Sequence, residues 1–401
     1  MEPAGRRLAR TRRRRGLSQA ALAGLVGRSE SWLSQVERGR RGVDSHAVLT
    51  RLAAVLRVDV AEISATDSPS RAPVPFPYAA AIEQAMMGYP GLGASIGQQD
   101  IGPEPSVAHL REMARSAYRG YQATRYEATG RILPRLIRGV ETASRVLGLA
   151  EPTVCETRAL AYDTAAALLR RIGEPALAWT AADRAMAAAE CSGQPLVAAV
   201  GAYRLSYVFT ARRRPREALE LAMTAAHALE RVMRSPSPDQ LSVYGGLHLA
   251  GATAAAADYD RPTVAALIAK ARAVAERLGA DTNLMGTAFG PVNVAIHTIS
   301  TAMRAGDART AVDIGESLDT SAIPAGLVGR RTQVHIDLAC AYALRRQDAA
   351  AVNVLLAAEH LSPQLIRYGE RPREVLTELL RREHRPSTPQ LRPLAHRVGV
   401  I

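Results

Sequence analysis

The 401-residue chain reads as an all-α protein, a five-helix N-terminal bundle followed by an α-solenoid of helix pairs. Three observations predict this architecture. Ala and Leu dominate, aromatic residues are only 4% of the chain, and runs of Val and Ile are short, so helix is favoured over sheet. Residues 5–63 carry a capping or breaking residue at each interval expected of short helices. Beyond them, similar turn signals return at a regular spacing, the mark of a stacked repeat. A chain of this length exceeds one core, so the two parts are read as separate domains.

The breaks divide the bundle into helices over about 5–15, 18–26, 29–38, 44–56 and 59–63. Gly16 ends the first, Ser18 caps the second, Gly27 allows the left-handed turn after it, and Ser29 caps the third. Asp44 caps the fourth, beyond a loop flanked by Gly39 and Gly42. Ala23, Gly27, Leu33 and Val36 stand at helix-turn-helix spacing: a small residue where two helices cross, a glycine in the tight turn, and two apolar residues on the back of the third helix. The opposite face of that helix points outward with Glu30, Ser31, Ser34 and Gln35.

Charge is concentrated in the same segment. The formal net charge is +13, and residues 1–63, with 13 arginines against 6 acids, hold +7 of it. Such an excess at one end marks an anionic partner, nucleic acid or a membrane surface. A membrane surface needs an apolar face beside the charge, and the apolar residues near Arg12–Arg15 are taken up by the bundle core. No segment reaches the roughly 18 apolar residues of a span. Gly16-Leu17-Ser18-Gln19 follows the arginine run where a signal peptide would be apolar. Cys155, Cys191 and Cys340 read as isolated thiols without CxxC spacing or clustered histidines, which suggests neither a disulfide framework nor a metal site. A soluble protein of a reducing cytoplasm is expected.

The run Gly16-Leu17-Ser18-Gln19-Ala20-Ala21-Leu22-Ala23, with Val36-Glu37-Arg38-Gly39-Arg40 after it, resembles the Xre and phage-repressor family of helix-turn-helix regulators, over roughly 59 residues. The resemblance implies double-stranded DNA as partner, with the third helix in the major groove. It implies that Gln19 contacts phosphate, that Glu30, Ser31 and Gln35 face base edges, and that Ser29, Arg40 and Arg41 hold phosphates. Arg28 and Ser34 complete the DNA-binding set. It also implies a salt bridge between Arg12 and Glu37. Thr11 stands where the family has an apolar residue, and Glu30 is acidic where DNA approaches; a glutamate there can accept from cytosine N4. The Arg12–Arg15 run is expected near phosphates. Trp32 rests either on the sugar-phosphate backbone or on the edge of the small core.

Past Pro69, Pro73, Pro75 and Pro77, a short helix around Tyr78–Met87 and a Gly- and Pro-rich stretch lead to the solenoid. Turn signals at Gly173–Ala176, Arg214–Ala218, Asp260–Pro262, Gly306–Ala308 and Gln347–Ala349 are spaced by about 40 to 47 residues, each punctuating a helix pair. The array resembles tetratricopeptide repeats, with a longer period. The domains expected are residues 1–66 (helix-turn-helix), 67–105 (linker with a short helix), 106–385 (solenoid) and 386–401 (C-terminal tail).

The first helices of successive pairs carry polar or aromatic residues at i, i+4: Arg158 with Tyr162, Tyr203 with Tyr207, Tyr244 with His248, Asn293 with His297, and Arg331 with His335. One reading lines a groove for a peptide or small metabolite, with Arg158, Arg204 and Arg331 holding a carboxylate. The other makes them ordinary core tyrosines and exposed histidines. Xre-like heads on tetratricopeptide-like bodies include quorum-sensing regulators that bind signalling peptides. That likeness implies a bacterial homodimer, on the nucleoid when DNA-bound, whose effector shifts the arrangement of two heads. No cofactor is expected. The chain lacks GxSxG, a Walker loop, HExxH and a GxGxxG after a strand, which speaks against an enzyme. The rival is a DNA-tethered scaffold whose repeats grip a partner protein.

Overall fold

The computed structural model describes residues 4–43, 46–58, 63, 74–88, 106–148 and 151–401. Among them there are twenty α-helices, one short 3-10 turn and no strand. The head holds α1 (Ala4–Arg14), α2 (Gln19–Leu25), α3 (Glu30–Glu37) and α4 (His46–Leu56). Gly16, Gly27 and Gly39 each take positive φ after α1, α2 and α3. The Ser18 hydroxyl accepts from Ala21 N (3.0 Å) and that of Ser29 from Trp32 N (3.2 Å), each cap contributing about 1 kcal/mol. Leu8, Leu22, Leu33, Leu52 and Leu56 fill the small core. The fifth head helix, the Asp44 cap and the Gly/Pro-rich stretch lie outside the described residues, apart from Ile63 and Gly88.

The body begins earlier than the sequence suggested. Helix α5 (Ala79–Met87) is not a linker piece, because Phe76, Ile82 and Met86 are buried in the main core. Six helix pairs follow: α6 (Val107–Gln122) with α7 (Tyr126–Val146), α8 (Pro152–Arg171) with α9 (Pro175–Cys191), and α10 (Pro195–Ala211) with α11 (Pro215–Val232). Then come α12 (Pro238–Ala257) with α13 (Arg261–Leu278), α14 (Pro291–Arg304) with α15 (Ala308–Ser317), and α16 (Val328–Leu344) with α17 (Asp348–Leu361). Helices α18 (Pro363–Tyr368), α19 (Glu370–Arg381) and α20 (Leu391–Val398) close the chain. The expected C-terminal tail is therefore a packed helix, with Leu391, Leu394 and Val398 in the same core as Phe76.

Every pair turns in the same way. A single left-handed residue stands between its two helices, at Thr124, Gly173, Arg213, Tyr259, Gly306 and Arg346. The next N–H bonds the carbonyl five residues back in each case, as in Glu174 N to Leu169 O at 2.8 Å and Asp260 N to Ala255 O at 3.0 Å. This is the Schellman closure, which satisfies orphan helix carbonyls. Five of these turns are the ones read from the sequence; the one at Thr124 carried no glycine or proline to announce it.

The solenoid closes on itself. One continuous core joins the first pair, α6–α7, to α16–α20. Gln364 Oε1 accepts from Glu127 N at 3.0 Å, the Tyr368 hydroxyl donates to Glu127 at 2.7 Å, and Phe76 meets Tyr368 edge-on at 5.2 Å. The head rests on two of the intra-pair turns: Tyr259 OH donates to Val58 O (3.3 Å), and Gly306 faces the Thr50 methyl.

The cysteines correct the sequence reading in one respect. The Sγ atoms of Cys155 on α8 and Cys191 on α9 are 2.7 Å apart, so these two thiols are a pair. Burial and the Cys191 thiol push Cys155 up to about 12, whereas Cys191 is exposed. Diamide is expected to draw two hydrogens from this pair, the exposed Cys191 sulfur attacking first and Cys155 resolving to the disulfide. Intact-mass and peptide mapping check this; formation of the link in Cys191→Ser, through Cys340, contradicts it.

Candidate DNA interface and interior site

In the head, the back of α3 is fixed and its front is open. Leu33 and Val36 are buried, while Glu30 and Ser31 are exposed and Ser34 and Gln35 half-exposed along the other face. The implied salt bridge is present and bidentate: Arg12 Nε and Nη2 donate to the two Glu37 carboxylate oxygens at 2.6 and 2.9 Å. Arg12 Nη1 also donates to Leu17 O at 2.7 Å, tying α1 to the start of α2. Burial alone raises the Glu37 carboxyl, but hydrogen bonds from Arg12 and Gln19 and the charges of Arg12 and Arg13 outweigh it and hold it below the usual glutamate range. Gly5 makes the α1–α3 contact close, since a Cβ there would lie 2.3 Å from Val36 O.

The cationic residues sort into two groups. Arg28, Arg40 and Arg41 are exposed beside α3, Arg28 lying over the Trp32 ring at 5.6 Å. A recess of about 810 Å³ between α1 and α3 is lined by Arg6, Arg10, Arg13, Arg14 and Arg38, with Gln19 and Ser34 at its edge. Two members of the Arg12–Arg15 run, which was expected near phosphates, are engaged within the head. Arg12 is buried on Glu37, and Arg15 donates to Leu56 O (2.8 Å) and Arg57 O (3.1 Å), satisfying the end of α4. The Gln19 amide donates inward to Glu37 at 2.7 Å, and the Ser29 hydroxyl is engaged as the α3 cap. Trp32 is half-buried against the head core.

The body residues divide as well. Three of the ten candidates meet inside the superhelix, Arg204 and Tyr207 of α10 and His297 of α14, and Asn293 stands one turn before His297 on the same helix with its side chain buried. Tyr207 lies 6.5 Å from the His297 ring and 5.2 Å edge-on from Tyr203, and Arg204 stacks over Tyr203 at 5.0 Å. The other six are elsewhere, a correction to the groove as first read. Arg158 Nε and the Tyr162 hydroxyl both bond Glu141, at 2.7 and 2.8 Å, within the α7–α8 packing. Tyr244 and His248 pack on each other at 4.5 Å, with Lys270 of α13 at 5.9 Å from the Tyr244 ring. Arg331 bonds Ala325 O in its own approach loop, and His335 Nδ1 is 3.1 Å from Arg331 O.

Several interior residues carried no sequence signal. Tyr118 and Tyr121 of α6, Asp163, Arg170 and Arg171 of α8, and Arg330 of α16 all join Arg204 and Tyr207. Arg170 lies over the Tyr207 ring at 5.7 Å and Arg204 over that of Tyr118 at 5.3 Å. Burial would raise the Tyr121 phenol, but the charges of Arg171, Arg170, Arg204 and Arg330 outweigh it and pull it down to about 8. Absorbance at about 295 nm should therefore show one tyrosine ionising near pH 8. Loss of that step in Tyr121→Phe supports the assignment, and its persistence there contradicts it.

The head is a helix-turn-helix domain, a fold that docks its second motif helix in the DNA major groove. Residues 4–65 match the family model described as a helix-turn-helix domain. No curated protein matches the chain. Among solved structures, that of Bacillus thuringiensis PlcR in complex with the peptide PapR7 and DNA is similar at 12% identity and a TM-score of 0.35, over 88% of this chain and 100% of that one. Among the described residues no helix is long and apolar enough to cross a membrane.

Proposed function

We propose that the protein is a sequence-specific, DNA-binding transcription regulator of the Xre type that acts as a homodimer, with the helical body as its effector-binding half. The observation that carries this reading is the two-sided α3: Leu33 and Val36 anchor it while Ser31, Ser34 and Gln35 present hydrogen-bonding groups outward. Serine and glutamine suit base edges, Gln in particular pairing with adenine N6 and N7. Arg28, Arg40, Arg41 and the arginines around the α1–α3 recess supply phosphate contacts, which set affinity but not sequence. The Tyr259–Val58 contact joins the body's turns to the head, so a ligand that favours one body conformation biases the head only if it binds the two conformations unequally.

Selection of the purified protein from random duplexes at two salt concentrations tests this. An enriched inverted repeat is expected, with half-site centres about one helical turn, roughly 34 Å, apart. Retention with no enriched sequence would reduce the head to a phosphate binder and overturn the reading.

A further inference from the structure

We propose that the interior of the closed superhelix binds a small organic anion, a carboxylate or phosphate, whose acid group lies among Arg170, Arg171, Arg204 and Arg330. This rests on the reading of the body as the effector-binding half and gives that effector a chemistry. The four arginines come from three inner helices, α8, α10 and α16, and their charges converge on the Tyr121 phenol. They remain half-exposed, so solvent reaches them.

The four cations outnumber the carboxylates beside them. Among the described residues, neither Arg170 nor Arg330 forms an ion pair, and the buried Nε atoms of Arg171 and Arg204 have no hydrogen-bond partner. Two carboxylates are near. Asp337 is already held by Arg371 at 2.7 Å and by the Ser300 hydroxyl. Asp163, with Oδ1 unpartnered, is pushed up to about 7 by burial, the Arg204 charge opposing. Like charges gathered together repel one another, and a bound acid among them removes that cost.

On α14 two polar atoms in almost fully buried side chains have no hydrogen-bond partner, Asn293 Oδ1 (3% exposed) and His297 Nε2 (6% exposed); the His297 ring lies 6.5 Å from that of Tyr207, with its Nδ1 3.4 Å from the Thr253 hydroxyl. Burial, with the Arg330 charge adding to it, lowers His297 to about 3, so its ring is neutral and able to donate or accept toward the body of a ligand. Size is limited by bonds across the concave side. Tyr118 OH donates to Gly286 O at 2.5 Å, Arg204 Nη2 to the same oxygen at 2.7 Å, and Gln122 Nε2 to Asn283 Oδ1 at 2.9 Å. An extended peptide threading the superhelix would break this bridge, whereas a compact acid leaves it intact.

Calorimetric titration of the full chain with citrate and, separately, inorganic pyrophosphate tests the assignment, each against sodium chloride of equal ionic strength. Saturable binding at one site per chain is expected for at least one probe, and which one binds separates carboxylate from phosphate. Arg171→Gln and Arg330→Gln should each weaken it at least tenfold while leaving duplex DNA affinity without anion unchanged. Melting curves check that both variants fold. Absence of saturable binding, or equal binding by folded variants, overturns the proposal, the latter placing the anion on the head. Binding of pentaglycine acid in place of both probes would put a peptide end there and overturn the small-ligand assignment. Loss of DNA selectivity in the parent would instead overturn the regulator reading and leave the anion site standing.

Discussion

Replacing Ser31 and Gln35 together by Ala should abolish discrimination between the selected duplex and a scrambled one, while affinity for the scrambled duplex barely changes. Each base-edge contact contributes about 1 to 3 kcal/mol of discrimination, roughly tenfold to a hundredfold. Both side chains lie on the open face of α3 and neither supports the head core, so the melting temperature should hold. Arg40→Ala and Arg41→Ala should behave in the opposite manner, weakening all duplexes alike and flattening the dependence on salt. Equilibrium binding of both sequences across a salt series separates the two patterns. A double variant that loses affinity for all sequences equally would mean that α3 touches only the backbone.

Glu37→Ala should unfold the head and leave the body folded. The substitution strands Arg12, whose side chain is 9% exposed, without its bidentate partner. Removing one member of a buried ion pair costs about 3 to 5 kcal/mol, and the low end applies here because Arg12 can swing toward the neighbouring recess. A domain of this size has little more stability than that to lose. Hydrogen exchange should show head amides unprotected and body amides unchanged, with DNA binding gone. Acid should act in the same direction. Because the folded Glu37 carboxyl lies below its unfolded value, its stabilisation is present above about pH 4.3 and is lost as pH falls through the depressed value. A head that keeps its protection in Glu37→Ala would show the pair to be dispensable.

The sequence announced local structure well and long-range closure poorly. Ser18, Ser29, Gly16 and Gly27 act within a few residues, so their caps and turns were legible, as were the five turns from Gly173 to Arg346. The Arg12–Glu37 bridge was legible only through the family likeness. Spacing at i, i+4 identifies a helix face but not the direction it points once helices stack. Tyr244 and His248 therefore share their spacing with Asn293 and His297 but not their surroundings, and Arg331 bonds its own approach loop where its neighbour Arg330 turns inward. The ring closure depends on contacts such as Glu127 with Tyr368, some 240 residues apart, for which no local pattern exists. The burial of Phe76 and α20 follows from that closure, and so does the meeting of Tyr118 with Gly286.

The central claim is that α3 reads DNA from the major groove. Methylation interference on the selected duplex tests it most directly, because a methyl group on guanine N7 projects into that groove while leaving phosphates untouched. The account predicts that methylation at guanines in each half-site prevents binding, in two clusters about one helical turn apart, and that ethylated phosphates flanking them interfere as well. Interference from phosphates alone, with methylated guanines tolerated throughout, would contradict it.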